Sequence, residues 1–189
     1  ALLDFAHLAS FPYMPEFFRP SYPGKAINFW LMARGLAAIA LLIAAVIPWT
    51  RAPKFPRIVP LVLVLAFVGV VGVVLIYYPQ LVPRTFVPGE GLTHFKIGFE
   101  YALIAVNLLA AFLYFRALQR PRVFYASGLF SATLIAAMGE VFLTLYWSVS
   151  DVYNLLGHLY KIVAYWFLYQ ALFVETVQQP YALLQKSEV

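Results

Sequence analysis

The chain has 189 residues, of which 63% are hydrophobic, 18% aromatic and only 11% charged. A soluble domain carries about 25% charged residues, so this composition describes an integral membrane protein and leaves no room for a soluble enzyme domain. The net charge of +5 fits basic loops beside a membrane, and no basic run interleaved with exposed aromatics supports nucleic-acid binding. There is no cysteine, which excludes disulfides, thiolate metal ligands and cysteine nucleophiles.

Residues 1–10 read as the last turns of a helix whose earlier part precedes this sequence, with Asp4 and His7 three positions apart. They lack the basic start and long apolar core of a signal peptide. Phe11–Lys25 is rich in proline and aromatic residues, as expected of a loop lying at headgroup level. Five complete spans follow, at Ala26–Ile47, Val59–Tyr77, Thr93–Arg116, Val123–Trp147 and Leu155–Thr176. Each is near the ~20 residues that a hydrocarbon core of about 30 Å requires. The second is wholly apolar and rich in Val and Gly, which predicts a lipid-facing helix packed through its small residues. Thr93 and Asp151 stand where helix caps are needed. Pro180 stops the last span, and YALLQKSEV restarts as an amphipathic tail. The expected fold class is all-α: a polytopic transmembrane helical bundle of five complete spans plus the end of a preceding, truncated helix.

Two loops carry clustered basic residues, Arg51, Lys54 and Arg57 in one and Arg116, Arg120 and Arg122 around the other. If all five spans cross, these loops share a side, and the positive-inside rule makes that side the cytoplasm. The C-terminus then lies there too, although Arg19, Lys25 and Arg84 fall outside.

This topology places Arg34, Lys96 with Glu100, Glu140, and His158 with Lys161 at one level. Each lies roughly 5–15 Å in from the outer boundary at about 1.5 Å per residue. Asp4 and His7 join them. Lysine and arginine can snorkel to the interface, but two glutamates cannot easily do so, and ionisable groups inside a membrane turn toward a partner or a cavity. The pattern predicts an inward-facing polar network that binds a small ligand. In it Arg34, Lys96 and Lys161 would hold an anionic group or the glutamates, Glu100 and Glu140 would balance them, and His7 and His158 would be a switchable pair.

Three other readings remain open. His7, His158 and Glu140 form a carboxylate–imidazole set for zinc or copper, or part of a haem or quinone site, although no HxxxH or HExxH spacing supports it. The same charges serve a transporter. Or paired charges only fix helix register. His94, beside a loop, reads as a surface or capping residue, and Tyr101, Tyr146, Tyr153, Tyr165 and Trp166 read as packing and interfacial residues.

The stretches DFAHLASFPYMPEFF, FWLMAR, THFKIGFEYALI, GEVFLTLYWSVSDVYNLLGHLYKIVAYWFLYQALF and QPYALL occur in an order that resembles the third type of membrane-associated sensor domain, the MASE group. The match covers nearly the whole chain. Its motifs are polar residues within apolar helices: Asp4, His7, Met14 and Pro15, then Arg34, then Lys96, Glu100 and Tyr101, then Glu140, Phe142 and Tyr146, then His158 and Lys161. The segment LASFPYMP lacks the lysine usual in that family. The resemblance implies a sensor module over residues 1–177, with preceding spans absent, and a cytoplasmic linker from 178 to 189. It implies an output domain in cis of the diguanylate cyclase, phosphodiesterase or histidine kinase kind, a bacterial inner-membrane location and, by analogy with such outputs, a homodimer. It adds Tyr101 and Tyr146 to the expected ligand site and names no ligand or cofactor.

Overall fold

The computed structural model describes residues 1–12, 14–16, 20–47, 56, 58–119, 126–148 and 150–173. The basic residues Arg51, Lys54, Arg57, Arg120 and Arg122, and the segment from 178 onward, lie outside these, as does Arg19.

Six α-helices carry the described fold: α1 Leu2–Ala9, α2 Pro23–Val46, α3 Ile58–Tyr77, α4 His94–Leu118, α5 Ala126–Leu145 and α6 Val152–Tyr169. Pro23 opens α2, where a missing N–H costs nothing because that donor has no intrahelical partner. The Thr93 side chain caps α4 by accepting from the Lys96 amide at 3.3 Å, and Asp151 caps α6 by accepting from the Tyr153 amide at 3.1 Å. Both caps were legible in the sequence. The long loop before α4 holds more structure than expected. A short 3₁₀ turn, Pro79–Leu81, is followed by antiparallel strands β1 Phe86–Val87 and β2 Gly91–Leu92. Gly89 and Gly91 turn this hairpin with φ of +86° each, a backbone region that glycine enters without steric penalty.

Among the described residues four helices, α2 to α5, are long and apolar enough to cross a membrane, where five spans were expected. The difference lies in α6. It is an 18-residue helix that carries Asn154, His158 and Lys161 and interrupts its aliphatic residues with four tyrosines and a tryptophan.

Packing runs in an arc. α2 packs against α4, α4 against α5 and α5 against α6, while α1 lies along α2. The core clusters give the directions. Ile27, Trp30 and Leu31 of α2 meet Leu103 of α4, Leu143 of α5 and Tyr146 at one end. Tyr114 of α4 and Leu129 of α5 meet Ala171 at the other, against the end of α2 at Leu41, Leu42 and Ala45. α2, α4 and α6 therefore run one way and α5 the other. α3 runs antiparallel to α2, with Val71 and Leu75 against Phe29 and Ala33.

α3 has a mean hydropathy of 3.1, and Val71 and Leu75 are its buried residues. Its lipid-facing character was expected. Packing through its glycines was not realised, since a Cβ added at Gly69 or Gly72 would meet no atom within 4 Å. Close packing through small residues belongs to α5 and α6 instead. A Cβ on Gly157 would lie 2.5 Å from the Leu143 side chain, and one on Gly139 would lie 3.1 Å from Tyr160 Cβ.

Candidate functional site

The expected polar network forms as two adjoining clusters. In the first, Asp4 of α1 receives two cations on one oxygen. Arg34 Nη2 is 3.0 Å from Asp4 Oδ1, and Lys161 Nζ is 2.8 Å from the same atom. The Arg34 guanidinium also donates to the Tyr165 hydroxyl. Trp30 lies beneath both cations, with its ring centroid 5.1 Å from Arg34 Cζ and 4.3 Å from Lys161 Nζ. Such cation–π contacts are strengthened where water is excluded. Helical spacing explains the assembly: Trp30 and Arg34 are four apart on α2, and Lys161 and Tyr165 are four apart on α6.

The second cluster is deeper. Lys96 and Glu100, four apart on α4, are 1% and 0% exposed, with Nζ 3.1 Å from Glu100 Oε1. Lys96 also donates to the Leu143 carbonyl and lies 4.6 Å from the centroid of the Tyr146 ring. Glu140 of α5 reaches toward both clusters: its carboxyl pairs with that of Glu100 and feels the charges of Arg34 and Lys96. Three cations, Arg34, Lys96 and Lys161, thus face three carboxyl groups, Asp4, Glu100 and Glu140.

The histidines are placed differently from the expectation. His7 Nδ1 lies 2.7 Å from the Ala26 carbonyl, and His158 Nδ1 lies 2.8 Å from the Asn154 carbonyl. A carbonyl only accepts, so Nδ1 carries the hydrogen in both rings. The rings stack with centroids 6.1 Å apart, beside Trp30. They line a small cavity of about 30 Å³ with Lys96 and Tyr146, whereas Glu140 lines a different cavity. The metal set His7, His158 and Glu140 is therefore not assembled. Among the described residues no three His, Asp or Glu side chains are grouped to hold a metal ion. Tyr101 is 60% exposed and lines neither cavity, because it follows inward-facing Glu100 by one residue and so points about 100° away around the helix.

The larger cavity holds about 320 Å³, within the range of small-molecule sites. It is a groove between α2 and α6, floored by α4 and α5. Trp30, Arg34, Glu140, Lys161 and Tyr165 line one end, and Ala37, Ala38, Ala40, Ala44, Ala132 and Ala136 line the shaft. From Trp30 to Ala44 it runs about 20 Å at roughly 1.5 Å per residue. Ala40 and Tyr165 line it and are exposed, so its side opens outward between the two helices. At the far end the Tyr114 hydroxyl donates to the Leu41 carbonyl at 2.8 Å, fixing α4 to α2. Trp30 and the alanine shaft were not singled out in the sequence, and Tyr165 was assigned to packing.

A family model described as a membrane-associated sensor domain, MASE3, matches residues 1–180. The chain belongs to this family. MASE3 membership agrees with the resemblance carried by the polar motifs, and the apolar helices agree with a membrane location. No curated protein and no solved structure matches the chain. Of the polar residues that carried the resemblance, Arg34, Glu140 and Lys161 line the groove.

Proposed function

We propose that this MASE3 domain is the ligand-binding input module of a bacterial signalling protein. A small amphiphile enters the groove between α2 and α6 from the outer leaflet, and α6, crossing as a fifth span, relays its presence to a cytoplasmic output domain in cis. That domain is of the diguanylate cyclase, phosphodiesterase or histidine kinase kind, in a homodimer at the inner membrane. The chain itself carries out no catalytic step in this account.

The observation that supports this reading is the groove itself. One end is charged, the shaft is lined mainly by alanine and leucine, and one wall is the last described helix. Charged groups in a bilayer are costly, and a structural pair need not sit at the end of an open apolar groove. A ligand that fits one spacing of α2 and α6 better than another shifts their equilibrium by its difference in affinity. Helix displacements of about 1–2 Å suffice to switch other proteins.

The test is native mass spectrometry of the full-length protein released from lipid nanodiscs. Wild type is expected to retain one small amphiphile per domain, and Ala40→Trp and Ala132→Trp, which fill the shaft, are expected to lose it. Equal occupancy in all three proteins would refute the reading.

A further inference from the structure

We infer that the ligand's head is an uncharged hydroxyl group on a single apolar chain, held between Trp30, Arg34 and Glu140. This deepens the proposed function and rests on it. Among the described residues, three buried polar atoms of the groove's lining residues have no hydrogen-bond partner: Trp30 Nε1, Arg34 Nε and Glu140 Oε2. Their residues are 5%, 9% and 4% exposed. In a bilayer no water is at hand to satisfy such groups, so each is expected to have a partner when the site is filled.

The three atoms specify that partner. An indole N–H and a guanidinium N–H can only donate, and a carboxylate oxygen accepts. A hydroxyl offers two lone pairs and one hydrogen, which matches two donors and one acceptor. A carboxylate head would accept from Trp30 and Arg34 but has no hydrogen to offer Glu140 Oε2. An ammonium head would satisfy Glu140 but leave both donors unpaired beside a second positive charge. The roughly 20 Å shaft, lined mainly by alanine and leucine side chains, accommodates one extended chain, and each buried methylene adds favourable transfer free energy.

The test uses the full-length protein in nanodiscs, titrated with dodecanol, dodecanoate, dodecylammonium and dodecane, with bound mass as the readout. Dodecanol is expected to bind at least about tenfold more tightly than either charged probe. Trp30→Phe, which removes one N–H and keeps the ring, should weaken dodecanol severalfold and leave dodecane unchanged. Glu140→Gln, which keeps an acceptor oxygen, should retain dodecanol better than Glu140→Leu. Dodecanoate or the ammonium binding as tightly as dodecanol would overturn the headgroup inference and leave the groove reading standing. No binding by any of the four probes would overturn both.

Discussion

Lys161 on α6 and Asp4 on α1 meet at 2.8 Å across 157 positions of sequence. Asp4 Oδ1 also takes Arg34 at 3.0 Å, so one carboxylate neutralises cations from the two helices that flank the groove. Asp4→Asn should leave both cations beside a neutral amide and destabilise the fold by about 1–3 kcal/mol, as for other charge-assisted contacts that lose a partner. Asp4→Asn combined with Lys161→Met should recover part of that loss, because one unpaired charge is removed. Thermal denaturation of the three variants in detergent measures the coupling.

Lys96 and Glu100 form the most deeply buried charged pair. Lys96→Met would leave Glu100 and Glu140 facing each other without their cation. A cost of about 3–5 kcal/mol is expected for breaking a buried pair at one end. Lys96→Met with Glu100→Leu should be far less damaging, since replacing a buried pair by apolar residues is often neutral. Denaturation midpoints of the single and double variants distinguish these outcomes.

The contact between α5 and α6 depends on glycine. A Cβ at Gly157 meets Leu143 at 2.5 Å and the Gly139 carbonyl at 3.3 Å, and Leu143 is itself buried, leaving it little room to yield. Gly157→Ala should cost about 1–3 kcal/mol by overpacking, and Gly157→Val more. Gly69→Ala on α3, where nothing lies within 4 Å, is the matched control and should be neutral or slightly stabilising. Parallel melting curves check both.

Filling the groove should uncouple the module without unfolding it. Ala40 is exposed and lines the shaft, so Ala40→Trp occupies the opening and leaves the ion pairs in place. The full-length protein with this change is expected to keep its stability within about 0.5 kcal/mol and to lose any change in output on adding dodecanol. An unchanged response would show that the signal travels by another route.

The site was partly legible in the sequence because charged residues stand out within apolar spans. Arg34, Lys96, Glu100, Glu140 and Lys161 lie together as their common membrane level implied. Trp30 and Tyr165 did not stand out, because aromatic residues near span ends are ordinary. Only their i, i+4 spacing from Arg34 and Lys161 marks them. The alanines of α2 read as common helix formers, and become a groove only once α6 lies opposite. Tyr101 points away from Glu100 because neighbours in sequence are not neighbours around a helix. The imidazole rings bond to backbone carbonyls of Ala26 and Asn154, contacts that side-chain spacing does not reveal.

Occupancy of the groove between α2 and α6 is read by photo-crosslinking with an alkanol carrying a diazirine on its chain, followed by peptide mass spectrometry. If the groove is the site, labels will concentrate on Ala37–Ala44 of α2 and Ala132–Ala136 of α5, and excess dodecanol will suppress them. Labelling spread over the exposed face of α3, at Val62, Val70 and Val73, and unaffected by dodecanol would show partition into lipid alone and contradict the account.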